Sequence, residues 1–140
     1  MQTLTPSNVD AFLERHSQFY DGIIQRAELI YAYPSARSAV GLRLDLWADV
    51  QDAESSSGWS HLNLRFENVV LLHVAEHPGT NVVMSPNGAQ FFFVAGQLHA
   101  DFSPVTDPLA DEPAERLAHF AESSFAVKAH SVWVQSVPIT

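Results

Sequence analysis

The stretch VGLRLDLWADV QDAESSSG WSHLNLRFE, residues 40–67, decides the reading of this chain. Val40, Leu42, Leu44, Leu46, Ala48 and Val50 alternate with Gly41, Arg43, Asp45, Trp47 and Asp49. An extended backbone sends successive side chains to opposite sides, so the pattern predicts a long strand with one apolar and one polar face. Leu62, Leu64 and Phe66 alternate in the same way with His61, Asn63, Arg65 and Glu67. The segment 51–58 between them has no period and reads as the loop of a hairpin. Charge then chooses the register. Setting Asp45 against Arg65 also sets Arg43 against Glu67, Asp49 against His61, Leu44 against Phe66 and Leu46 against Leu64. A shift of two residues would put Arg43 opposite Arg65, which like-charge repulsion disfavours. A slip of one would turn the leucines onto the charged face.

Upstream, Val9, Phe12, Leu13, His16, Phe19 and Tyr20 recur at helical spacing, predicting a helix over residues 7–20. Thr5-Pro6 and an S-x-x-D box open it, and Asp21-Gly22 closes it with glycine as a left-handed cap. Ile23–Tyr33 is rich in strand formers. Downstream, residues 69–76 read as a separate buried strand. Residues 81–84 and 90–95 flank a Ser85-Pro86-Asn87-Gly88 turn. A turn at Gly96-Gln97 leads to Leu98, Ala100 and Phe102, which alternate with His99 and Asp101. Pro113–Ala121 reads as a short helix, capped by Asp111 or Glu112, with Leu109, Leu117 and Phe120 facing inward. A last strand spans Phe125–Val137, its inward set including Phe125, Val127, Ala129 and Trp133. In Phe91-Phe92-Phe93 both faces of a strand are covered, which points to a central strand. These elements predict an α+β, mainly antiparallel β domain over residues 1–140. Its curled sheet, a sandwich or half-barrel, carries an N-terminal helix and a short helix near the C-terminus.

Composition narrows the function classes. Seven Lys and Arg stand against sixteen Asp and Glu, a formal charge of −9. Scattered cations in an acidic chain give no phosphate-binding surface, so neither nucleic acid nor an anionic membrane is an expected partner. The chain contains no cysteine, which removes disulfides and thiolate metal ligands. Residues 1–16 lack a basic region followed by an apolar run, and Val69–Ala75 falls well short of the ~18–20 residues of a membrane span. A cytoplasmic protein is expected.

The motifs that suggest chemistry fail on geometry. His73-Val74-Ala75-Glu76-His77 matches an inverted zinc-protease string, which needs a helix to bring both imidazoles to one metal. On a strand the two would lie ~13 Å apart. His61, His99 and His130 fall on outward strand positions without the local spacing of a β-barrel metal site. Carboxylate pairs such as Asp45 with Asp49, or Glu112 with Glu115, read as cross-strand and cap charges rather than an acid–base couple. No nucleophile elbow or phosphate loop is present. No catalytic residue, metal or cofactor is expected.

Trp47 remains. Alternation places it on the polar face with Arg43, Asp45, Asp49, His61 and Arg65. An aromatic ring among arginines on a sheet face has the composition of a protein-interaction hot spot, or of a ring covered by Arg43 or Arg65 through a cation–π contact.

Two segments carry a resemblance. Phe19-Tyr20-Asp21-Gly22-Ile23-Ile24 is near an F-H-D-x-x-I pattern, with Tyr20 standing where that pattern has His. Leu62-Asn63-Leu64-Arg65-Phe66-Glu67-Asn68-Val69 is near L-x-F-x-x-V. With the opening helix and the strand over 40–46, they make the chain resemble a loose class of small uncharacterised bacterial domains. Some of that class are regarded as immunity proteins of toxin systems. The resemblance implies a domain that binds a protein partner and performs no chemistry. The expectation is therefore a non-catalytic protein-binding domain, with Arg43, Asp45, Trp47, His61 and Arg65 as its interface, acting on a protein partner or a second copy. The alternative is a small-ligand-binding or metal-dependent β-barrel enzyme with a pocket lined by Phe91, Phe93 and His99. A structural subunit of an oligomer is a third reading.

Overall fold

A computed structural model describes residues 1–31, 41–75, 88–103 and 113–140. The hairpin of residues 43–74 forms its frame. Strand β3 (Arg43–Gln51) pairs antiparallel with β4 (Trp59–Val74), with Leu44 opposite Phe66, Asp45 opposite Arg65, Leu46 opposite Leu64 and Asp49 opposite His61. This is the register that the charges select. The ladder starts at Leu44, so the expected Arg43–Glu67 pair falls beyond its end.

Around that hairpin the described residues form one seven-stranded antiparallel sheet. The other strands are β1 (Gln2–Thr3), β2 (Ile23–Ile30), β5 (Gln90–Val94), β6 (Gln97–Asp101) and β7 (Phe125–Pro138). Their order is β2-β3-β4-β7-β6-β5, with β1 beside the C-terminal half of β7. The ends of this path, β2 and β5, are not paired to each other, so the sheet is curled rather than closed. Two helices flank it: α1 (Val9–Arg15) and α2 (Pro113–Glu122). The fold is mainly antiparallel β with an N-terminal and a C-proximal helix.

The core lies on the inner face, where α1 packs. Val9, Phe12 and Leu13 of α1 and the following Phe19 join Leu44, Leu46, Ala48, Val50, Leu62, Leu64, Phe66, Val132 and Val134 in one buried cluster. Phe19 is its hinge: fully buried, edge-on to Phe12 and Phe91 and stacked on Phe102. Each such ring contributes about 1.5–3 kcal/mol by burial alone. On the opposite face α2 covers only the β5–β6 end. There Phe120 packs against Phe92 and His99, and Phe92 and Phe120 cluster with Ala126.

Several details depart from the sequence reading. The helix predicted to Tyr20 stops at Arg15, and Ser17, Gln18 and Phe19 follow at φ 52°, 50° and 62° as a left-handed turn. Asp21, not Gly22, then takes the positive φ. Asn8 rather than Ser7 precedes the helix, and its side chain accepts from Thr5 N and donates to the Thr3 carbonyl instead of capping. Residues predicted as two strands form the single β4, which runs on through Asn68 (φ 52°) and shifts its register against β7 by a bulge between Val69 and Leu71. The Asn68 side chain accepts from Gly41 N at 2.9 Å. Across from it the parity of β7 also changes, since Ala129 and Val132 are both buried. Trp133 therefore leaves the predicted inward set and lies on the outer face, opposite Arg65 and 37% exposed.

Other corrections follow from the strand order. Phe91-Phe92-Phe93 belongs to β5, an end strand among the described residues, not a central one. Both its faces are nevertheless covered, by the core and by α2. The tight turn joining β5 to β6 is Ala95-Gly96, one residue earlier than predicted, with both φ values positive as a two-residue hairpin demands. Leu117 is 42% exposed, so only Phe120 of that predicted pair faces inward. Leu109, Asp111, Glu112, His77 and the turn at residues 85–87 lie outside the described residues. Replacing the hinge, Phe19→Ala, should cost about 3–5 kcal/mol. Urea unfolding checks this, with a lower midpoint at unchanged slope; a loss below about 1 kcal/mol would contradict the packing described.

Candidate functional site

The five residues singled out by alternation share one face. Asp45 and Arg65 are paired across β3 and β4, as are Asp49 and His61, and Trp47 stands between them opposite Asn63. Beside β3, Arg26 and Glu28 of β2 pair with Trp47 and Asp45. Beside β4, Trp133 and Gln135 of β7 face Arg65 and Asn63. The face is thus four strands wide, with a tryptophan on each side of Arg65. α1 is on the other side of the sheet, and α2 sits over β5 and β6. Among the described residues no helix covers this part.

Its charges are layered. The Asp45 side chain is only 7% exposed and lies between two guanidiniums, Arg65 Nε at 3.2 Å and Arg43 Nη2 at 3.4 Å. Those arginines are about a third exposed, so solvent meets cations while their shared carboxylate is underneath. Arg26 lies over the Trp47 ring, 4.8 Å from its centroid, and bonds Glu28 at 2.6 Å. The ring is covered by an arginine, as one reading expected, but by Arg26 and not Arg43 or Arg65. Such a contact is worth about 0.5–1 kcal/mol at an exposed site. His61 Nδ1 meets Asp49 Oδ1 at 2.6 Å, and Gln25 Nε2 donates to Asp49 Oδ2. Hence Asp45 and Asp49 serve the cross-strand ladder, and Asp45 lies beneath the two arginines that share it.

The histidines do not converge. His61 is exposed on this face, His130 is exposed on β7, and His99 is buried under α2, stacked on Phe92. Burial pushes the His99 pKa down, against its bond to the Gln97 carbonyl. The outward surface position expected for His99 is therefore wrong. Phe91 and Phe93 lie on the core side and His99 on the other, so these three line no common pocket. His73 is on a strand, as expected, and bonds the Ser123 carbonyl at 2.8 Å. Among the described residues, no three His, Asp or Glu side chains gather to hold a metal ion. No described helix is long and apolar enough to cross a membrane.

One cluster went unseen in the sequence. Asp52 follows the last residue of β3 and is buried. Its carboxylate accepts from Arg15 Nε and Nη2 at 2.8 and 2.9 Å, from Ser60 Oγ at 2.5 Å, from Ser136 Oγ at 3.2 Å and from Glu54 N. The Arg15 pair holds its pKa well below the ordinary carboxylate range, with the serine and backbone bonds adding to the effect against the cost of burial. A cavity of about 300 Å³ lies beside the cluster, lined by Gln2, Phe12, Arg15, His16, Gln135 and Ser136 among others. With every lone-pair direction of Asp52 taken by a donor, the cluster is a joint between α1, β4 and β7, not a nucleophile or a cation site.

Because the folded pKa of Asp52 is depressed, its contribution is complete above the unfolded value of about 3.9 and is lost as pH falls below it. Urea unfolding should show stability declining steeply below about pH 4. Asp52→Asn should lower stability at neutral pH by about 1.5–3 kcal/mol, through the loss of its charged hydrogen bonds to Arg15, which keeps Glu54 as a partner, and flatten that acid decline. An equally steep decline in the variant would assign it to other carboxylates.

No protein-family model matches this chain, and neither does any curated protein or solved structure.

Proposed function

We propose that this chain is a non-catalytic protein-binding domain, immunity-like in character, whose partner docks on the outer face of β2, β3, β4 and β7. The observation that carries the reading is the uneven cover of one sheet. Its inner face is sealed by α1 and one end of its outer face by α2. The remaining outer face presents Trp133, Arg43, Arg65, Arg26 and the edge of Trp47 over a buried carboxylate. Aromatic rings and arginines held in place beforehand are what interface hot spots use, because little side-chain freedom is lost on docking. The resemblance to small bacterial immunity domains agrees with this role. So does the acidity of the chain, whose field attracts a basic partner.

An enzyme reading draws no comparable support. Phe91, Phe93 and His99 do not converge, and the Asp52 carboxylate is saturated by donors. The test is capture of partners from the native host with the immobilised protein, followed by mass spectrometry and affinity measurement. A specific partner should bind the wild type, and Trp133→Ala or Arg65→Gln should each weaken binding about tenfold or more. Thermal unfolding should show both variants folded. A partner held equally by the wild type and both variants would place the interface elsewhere and overturn the proposal.

A further inference from the structure

The binding reading makes no use of His16. This residue ends α1, is fully buried, and forms a three-ring cluster with Phe12 and Phe19. Its Nδ1–H donates to the Phe12 carbonyl at 2.8 Å, which leaves the lone pair of the neutral ring on Nε2. That nitrogen is buried and has no hydrogen-bond partner; Asp52 Oδ2 is 3.9 Å away.

The backbone immediately beyond is strained. Ser17, Gln18 and Phe19 are three successive non-glycine residues in the left-handed region, where a Cβ crowds its own carbonyl. Such geometry persists only where the surroundings over-determine it. Here Phe19 is locked in the core, and the Gln18 carbonyl accepts from Ala89 N at 2.7 Å. Gly88 lies so near that a Cβ on it would be 2.5 Å from the Gln18 carbonyl oxygen. A buried titratable ring therefore caps a sprung turn that bridges α1 to the start of β5.

We propose that His16 is a proton-operated latch: the neutral ring keeps the left-handed turn seated against β5, and protonation at Nε2 releases the turn and the end of α1. The charges around it set the direction. From α1 itself Arg15 opposes a proton, while Asp52 and Glu54 of the β3–β4 loop favour one. Ser136 and Gln135 of β7 and Gly88 and Ala89 before β5 bring no charge. Asp52 already accepts five hydrogen bonds, so it has little left for an imidazolium. Burial outweighs the rest and lowers the His16 pKa in the closed form. The proton thus favours the open form, in which the ring regains water. By linkage, opening grows up to about tenfold per pH unit below the ordinary histidine value of about 6.5.

Hydrogen exchange on the full chain, corrected for the intrinsic pH dependence of amide exchange, tests the latch. Between pH 7 and 5, protection of residues 12–20 should fall more than tenfold while β4 and β7 keep theirs. The same residues in His16→Gln should show no such pH dependence. A parallel NMR titration of the wild-type His16 ring should show proton uptake displaced below the ordinary histidine value, and this holds whether or not the variant folds. Unchanged protection at pH 5, simultaneous loss across the sheet, an identical fall in the variant, or a His16 ring that takes up its proton at the ordinary value would each overturn the proposal.

Discussion

The Asp52 carboxylate is the contact on which the rest of the molecule hangs. It stands where β3 gives way to the loop and binds one group from each element that must meet there: Arg15 at the end of α1, Ser60 in β4 and Ser136 in β7. A carboxylate without these donors would not tolerate complete burial. With them, the hairpin loop, the helix and the last strand are fixed to one point. The helix then lies over the core with Phe12 and Leu13 inward. The sheet's other face, freed of that duty, can carry polar groups.

Those two faces have one cause. Antiparallel pairing with strict alternation sorts leucines to one side and the Arg43, Asp45, Trp47, His61 and Arg65 set to the other. Left-handed Asn68 and the bulge between Val69 and Leu71 let β4 continue along β7 to Val74. The buried positions change parity at Asn68 on both strands, with Phe66 and Val69 buried on β4 and Ala129 and Val132 on β7. At one end α2 covers the outer face over Phe92 and His99. At the other, two tryptophans flank an arginine pair that shares a single carboxylate. The proposed docking surface is what remains of the sheet once its core duties are met.

The hairpin register was legible because charge and apolarity pointed to the same pairing. A one-residue error would have buried Arg65 or exposed Leu64. The alternating strands, the apolar stripe of α1 and the short C-proximal helix were legible for similar reasons. Trp133 breaks the alternation because a count of two cannot register a left-handed residue, and that residue, Asn68, lies in the strand opposite. The end of α1 was misread because His16, Phe19 and Tyr20 fit a helical stripe, and nothing local marks three left-handed residues. Asp52 was missed for a different reason. Its loop is polar and aperiodic, and its partners Arg15 and Ser136 lie 37 and 84 residues away in the chain. Long-range polar joints leave no local pattern. The proposed docking face was half legible: alternation groups its β3 and β4 residues, but only the strand order adds Arg26 and Trp133.

The account therefore turns on whether the ion pair between half-buried Arg15 and buried Asp52 couples helix to sheet. A double-mutant cycle of Arg15→Met and Asp52→Asn, followed by urea unfolding at neutral pH, measures that coupling directly. The two-bond geometry on a buried carboxylate predicts an interaction energy of about 1.5–3 kcal/mol. Additive losses, with coupling below about 0.5 kcal/mol, would mean that α1 is held by its apolar stripe alone and that Asp52 is not the joint described.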